Sequence, residues 1–138
     1  MDAATSTIAT VAGNGQQALN TAMTLGGSAL SISLGGGYLA LDPAGNLYIY
    51  SLCLVIKVDR TSGLTTAVAG TGQCRSGGDG DPATSAQFSY GNGGGLAVDA
   101  SGNVYVGDAP GVARSTLPRA SSRWLLAADH HPPMDMLY

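Results

Sequence analysis

Glutamate is absent from this chain, whose nine acidic residues (Asp2, Asp42, Asp59, Asp79, Asp81, Asp99, Asp108, Asp129 and Asp135) are all aspartate. Aspartate opens turns while glutamate extends helices, so the acidic complement points to tight loops between short elements. Lysine occurs once, at Lys57, and with five arginines the net charge is −3. No basic stripe exists that could follow a phosphate backbone, so nucleic acid is excluded as the expected partner. The first basic residue is Lys57, which leaves the chain as written without the charged n-region of a secretory signal. Long apolar runs are also missing. The longest, "LYIYSLCLVI" at 47–56, is about half of what a bilayer span requires, and no membrane span is expected. Histidine is confined to His130 and His131, so no Ser/His/Asp or Cys/His arrangement is supported, no catalytic residue is assigned and no cofactor is expected. The two cysteines, Cys53 and Cys74, are read as free thiols in preference to a disulfide, and the redox compartment stays open.

What is plentiful is glycine, 21 residues of 138, in a composition that is 44% hydrophobic and 11% charged. A chain of this size and balance is one packed domain or part of one, rich in turns and close backbone approaches. It also repeats itself. "VAGNGQ" (11–16) returns as "VAGTGQ" (68–73), "GGYLALD" (36–42) as "GGGLAVD" (93–99), and "AGNLYI" (44–49) as "SGNVYV" (101–106). All three pairs share one offset in numbering, 11 to 68, 36 to 93 and 44 to 101, which is 57 in each case. Over 11–48 an ungapped comparison finds 15 identities, against about a tenth of positions by chance in so Gly/Ala-rich a chain. Internal duplication follows.

Each copy carries strand signals in a fixed order. "YLALD" leads into Asp42-Pro43-Ala44-Gly45-Asn46, a turn opened by Asp42, with Pro43 fixing φ and Gly45 free to take a positive one; Gly102 holds the matching position in the second copy. "NLYIY", "LVIKVD", a turn at 60–63 and "LTTAVAG" complete four short strands, and "LAVD" and "NVYVGD" repeat the first two. Four antiparallel meander strands per unit make one propeller blade, and the opening "STIATVAG" is read as a fourth strand standing before the first full unit. The expected fold class is therefore all-β: an incomplete β-propeller of about two four-stranded antiparallel blades over residues 1–109, with an irregular tail at 110–138. Four of the six prolines, the single Trp124 and both histidines lie in that tail, where "SSRWLLAAD" is predicted to form a short helix.

"GLAVDASGNVYVGD", "IKVDRTSGLTTAVAGTG" and "SGGDGDPATSAQF" together resemble the long-repeat NHL β-propellers found in teneurin-like, bacterial and algal proteins. The resemblance covers roughly residues 5–109. Two departures stand out: the basic residue usual before the third strand is missing from "YSLCLVIKVD", and the Gly/Asp loop is absent from the first copy at 21–33. The resemblance implies a non-catalytic repeat scaffold that binds proteins or ligands through its loops and one face, and it leans towards an extracellular setting. The alternatives are a fragment of a propeller enzyme, a lyase or lactonase-like hydrolase, and a truncated gene product without independent function. The enzymes of this fold gather His, or Glu, Asn and Asp, at the channel, whereas this chain has no glutamate and no histidine before residue 130.

Against that frame the loop at 76–88 reads as punctuation between units. Its glycines bend the chain, Asp79 and Asp81 bond local amides, Pro82 begins a short helical turn, and Phe88 plugs the space between blades. Asp79 and Asp81 are the weak candidates for calcium, but a third carboxylate is missing. "GNGGG" (91–95) lacks the Lys-Ser/Thr of a phosphate loop, and "DHH" (129–131) with Asp135 has nothing in sequence to orient its imidazoles. Asp42 and Asp99 are expected to open turns, and Asp108 to line the channel or anchor a loop. Because one whole blade and parts of two others cannot close a ring, a protein partner or self-association is expected.

Overall fold

The β-branched and aromatic run at 47–58 folds back on itself as the central hairpin of a four-stranded antiparallel meander. A computed structural model describes residues 4–18, 24–75, 77–89, 95–108, 111–116 and 121–126. The first sheet contains β1 (Tyr38–Leu41), β2 (Leu47–Ser51), β3 (Leu54–Val58) and β4 (Thr65–Ala69). The second contains β5 (Gly95–Val98), β6 (Val104–Asp108), β7 (Gly111–Thr116) and β8 (Ser121–Leu126). Among the described residues the only helical pieces are 3-10 turns at Ala29–Ser31 and Ala83–Ser85. The chain is all-β, in two antiparallel sheets that are not closed on one another.

The repeat is carried into three dimensions. β1 and β5 stand one repeat offset apart at both ends (38 to 95, 41 to 98), as do β2 and β6 (47 to 104, 51 to 108). β3 and β7 begin at that same offset (54 and 111), and β4 and β8 end at it (69 and 126). The last two correspondences correct the expectation of an irregular tail at 111–116 and of a helix at 121–126, while residues 127–129 of the expected helix lie outside the described residues. Residues 121–126 are a strand, paired along β7 from Gly111↔Leu126 to Thr116↔Ser121. The free edge of β6 explains this: ladder hydrogen bonds belong to the backbone, so β7 and β8 pair where the sequence motif has faded, and the helix propensity of Leu125-Leu126 yields to the tertiary ladder.

Two further expectations change. "STIATVAG" forms no ladder strand among the described residues, and Ile8 and Val11 are 88% and 68% exposed. Nor has the first copy lost its loop. Gly13 and Asn14 donate backbone N–H bonds to Ala29 O (2.8 Å) and Ile32 O (2.9 Å), as Gly70 and Thr71 do to Ala83 O (2.8 Å) and Ala86 O (2.9 Å). Residues 26–34 thus play the part of 80–88, three positions short of the repeat offset, and an ungapped comparison misaligns them by that amount.

The main core lies between the sheets. Tyr48, Tyr50 and Val55 of the first meet Val104, Val106 and Ala113 of the second, with Ala83, Ala86 and Phe88 of the linker among them. Phe88 is 1% exposed and meets Tyr50 edge-on at 5.8 Å between ring centroids. It packs with residues of both sheets, and its burial is worth about 2–3 kcal/mol.

Cys53 and Cys74 form a disulfide, Cα–Cα 5.3 Å, rather than two free thiols. The antiparallel pairing of Val55 with Ala69 carries the chain leaving β4 back past the β2–β3 turn, so residues distant in sequence become neighbours. That turn is Leu52-Cys53, both at positive φ (50° and 60°), without the Asn or Gly such a turn prefers. The left-handed region costs roughly 1–2 kcal/mol for each such residue, and the cross-link holds the turn against the linker. Gly70, at φ +92°, passes so close to Cys53 O that a Cβ there would collide with that carbonyl. Closing a loop of this length contributes about 3 kcal/mol in the chain-entropy account. Calorimetry with and without reductant is expected to show the melting temperature falling by roughly 10 °C on reduction. Cys53→Ala/Cys74→Ala should match the reduced protein and ignore reductant; an unchanged melting temperature would refute the role given to this bond.

Candidate functional site

The two turns opened by aspartate are built alike. Asp42 Oδ1 accepts the backbone N–H of Asn46 (2.9 Å), and its Oδ2 accepts Asn46 Nδ2 (2.8 Å) and the Tyr48 hydroxyl (3.3 Å). Asp99 repeats this with Asn103 (2.9 and 2.8 Å) and Tyr105 (3.2 Å), adding the N–H of Ser101 (2.9 Å). Gly45 and Gly102, at φ +86° and +84°, donate to the carbonyls of Asp42 and Asp99 and sit at matching turn positions. Asn46 Oδ1 in turn accepts from Arg60 N (2.9 Å), tying the β1–β2 turn to the end of β3. Asn46, Tyr48, Asn103 and Tyr105 are the network partners that residue-by-residue reasoning missed, although their signal was present as D-x-x-G-N-x-Y in both copies.

Hydrogen bonds from the Asn46 side chain, then its backbone N–H and the Tyr48 hydroxyl, hold Asp42 below the usual carboxylate pKa of 3.8, against the opposing pull of partial desolvation. Asp99 is lowered in the same way, first by the Asn103 side chain. Burial, then the negative charge of Asp42, raises the Tyr48 hydroxyl above 10.0. These carboxylates are occupied as acceptors for neutral donors, so their chemistry here is turn formation.

The remaining candidates are dispersed. Asp79 is half-buried and Asp81 exposed on the linker, and among the described residues no three His, Cys, Asp or Glu side chains gather into a metal-binding group. Asp108 ends β6 opposite Gly111. Residues 91–94 of "GNGGG", "DHH" and Asp135 lie outside the described residues.

An open feature among the described residues is the face of the first sheet turned away from the second. A groove of about 540 Å³ runs there, lined by Val11, Leu30, Leu41, Leu47, Val58 and Arg60 among others. It is chiefly apolar, and Leu39 and Leu41 are each 64% exposed beside it. Sequence reasoning did not place the loop at 25–34, whose Ala29, Ile32 and Leu34 cover the centre of that face. No helix of the described residues is long and apolar enough to cross a membrane. No protein-family model matches the chain, and no curated protein is significantly similar to it.

The lowered aspartate pKa values fix a sign. Because Asp42 and Asp99 are more acidic folded than unfolded, their contribution to stability is complete above about pH 4 and lost as pH falls through their lowered pKa values. Thermal melts from pH 7 down to pH 2 should therefore drop more steeply for the parent chain than for Asp42→Asn/Asp99→Asn, which should start lower at pH 7 and change less. Parallel profiles would remove these turns as the source.

Proposed function

We propose that the chain is a non-catalytic repeat scaffold, two blades of an NHL-type β-propeller, whose open sheet face and inter-sheet loops bind other protein surfaces or a ligand. The observation that carries this reading is the unequal fate of equivalent residues. Leu96 and Val98 of β5 pack against the inter-sheet core, whereas Leu39 and Leu41, their counterparts one repeat earlier, stand in solvent. A face built to the same pattern as a buried one, but left open, is a face adapted to a partner. The constant repeat offset, the paired Asp turns and the repeated linker bonds support the blade assignment. The residue types support a binding role over catalysis: glutamate is absent and both histidines lie at 130–131, so a channel metal site would have few ligands to draw on. Metal analysis of the purified chain after exhaustive dialysis is expected to find no stoichiometric zinc or calcium. One bound ion per chain, removable by chelator with loss of stability, would replace the scaffold with the lyase or lactonase-like reading.

A further inference from the structure

We propose that the open face of the first sheet receives the outer face of the second sheet of another copy of this chain, so that copies join head to tail. The inference rests on the scaffold reading and names its partner.

The molecule already contains one example of the contact. On one side of it stand Tyr48, Tyr50 and Val55; on the other stand Leu96, Val98 and Val104; linker residues Ala83, Ala86 and Phe88 lie between. Each side has a counterpart one repeat away that meets no second sheet among the described residues. Tyr105, Gly107 and Val112 on the second sheet answer to Tyr48, Tyr50 and Val55, and Leu39, Leu41 and Leu47 on the first answer to Leu96, Val98 and Val104. Exposure follows partnership at each position: Val55 is 0% exposed but Val112 37%, and Val104 is 1% exposed while Leu47 is half-buried. The intervening layer is also in place, since Ala29, Ile32 and Leu34 lie on the first sheet through the same backbone bonds that fix Ala83 and Ala86. An arriving second sheet would thus meet a surface of the build that its own chain already uses.

The two faces differ, so the contact is heterologous and propagates until it closes. Residues 8–11 lie where the β8 of the arriving copy would fall. Among the described residues no backbone hydrogen bond ties them to a neighbouring strand, so they yield the place at little cost.

Sedimentation of two charge variants tests the proposal. Leu39→Lys/Leu41→Lys blocks one face and Ala97→Lys/Val112→Lys the other, all at positions exposed in the single chain. The parent chain at micromolar concentration should sediment as a species of several copies. Each variant alone should be monomeric with an unchanged circular dichroism spectrum. An equimolar mixture should form a one-to-one dimer and stop there, because each chain keeps one working face. If a lysine variant fails to fold, Leu39→Ser/Leu41→Ser and Ala97→Ser/Val112→Ser take its place, with the same mixing result expected. A monomeric parent overturns the proposal. So does a parent whose variants still dimerise alone, or whose mixture does not associate, since the contact would then not be head to tail. None of these outcomes introduces a bound metal, so failure here remains distinct from failure of the scaffold reading.

Discussion

Most of this structure depends on one contact, the stacking of two thin sheets with a layer of linker side chains between them. A four-stranded meander of four- to six-residue strands has two faces and too little thickness to bury either alone. Tyr50, Val55, Val104 and Val106 leave water only because the sheets meet, and Ala83, Ala86 and Phe88 fill the gap that their divergence would leave. The linker therefore serves as core, and it explains why so long a connection between β4 and β5 is held by bonds such as Gly70 N to Ala83 O and Gln87 N to Gly77 O.

The same demand places the covalent and conformational specialisations. To reach the inter-sheet space, the chain leaving β4 must cross the β2–β3 turn at close range, and only Gly70 permits that approach. The turn it crosses uses Leu52 and Cys53 in the left-handed region, and the disulfide from Cys53 to Cys74 joins turn and linker at the crossing. At the opposite end of the sheet, Asp42 with Asn46 and Asp99 with Asn103 close the β1–β2 and β5–β6 turns by side-chain hydrogen bonds, which keeps these two carboxylates at the turns. The aspartate-centred turns thus stand apart from the apolar side chains through which the sheets stack.

Different parts of this architecture were legible to different degrees. The turns could be read because D-x-x-G-N-x-Y is a local device: all its partners lie within six residues. Phe88 could be placed between the sheets because the single phenylalanine of the chain, at the end of a polar stretch, has few other places to be buried. The disulfide could not be read, since its two ends meet through the β3–β4 register rather than through sequence proximity. The loop at 26–34 was hidden by a shift of three positions, and the candidate surface came into view only when Leu39 and Leu41 could be compared with Leu96 and Val98 in their folded surroundings.

By itself the sequence determined the period, the strand order within a unit, the turn chemistry and the all-β class, because these follow from local conformational preference and from alternation along a strand. Tertiary structure alone decided that residues 111–116 and 121–126 are strands, that Cys53 and Cys74 are bonded, and that one apolar face is buried while its equivalent is open. Those outcomes depend on backbone groups and faces that have no partner until distant segments arrive. Ladder hydrogen bonds and face burial are indifferent to the motif that marks a repeat, so β7 and β8 form where the motif has faded, and Leu41 stays exposed where it persists.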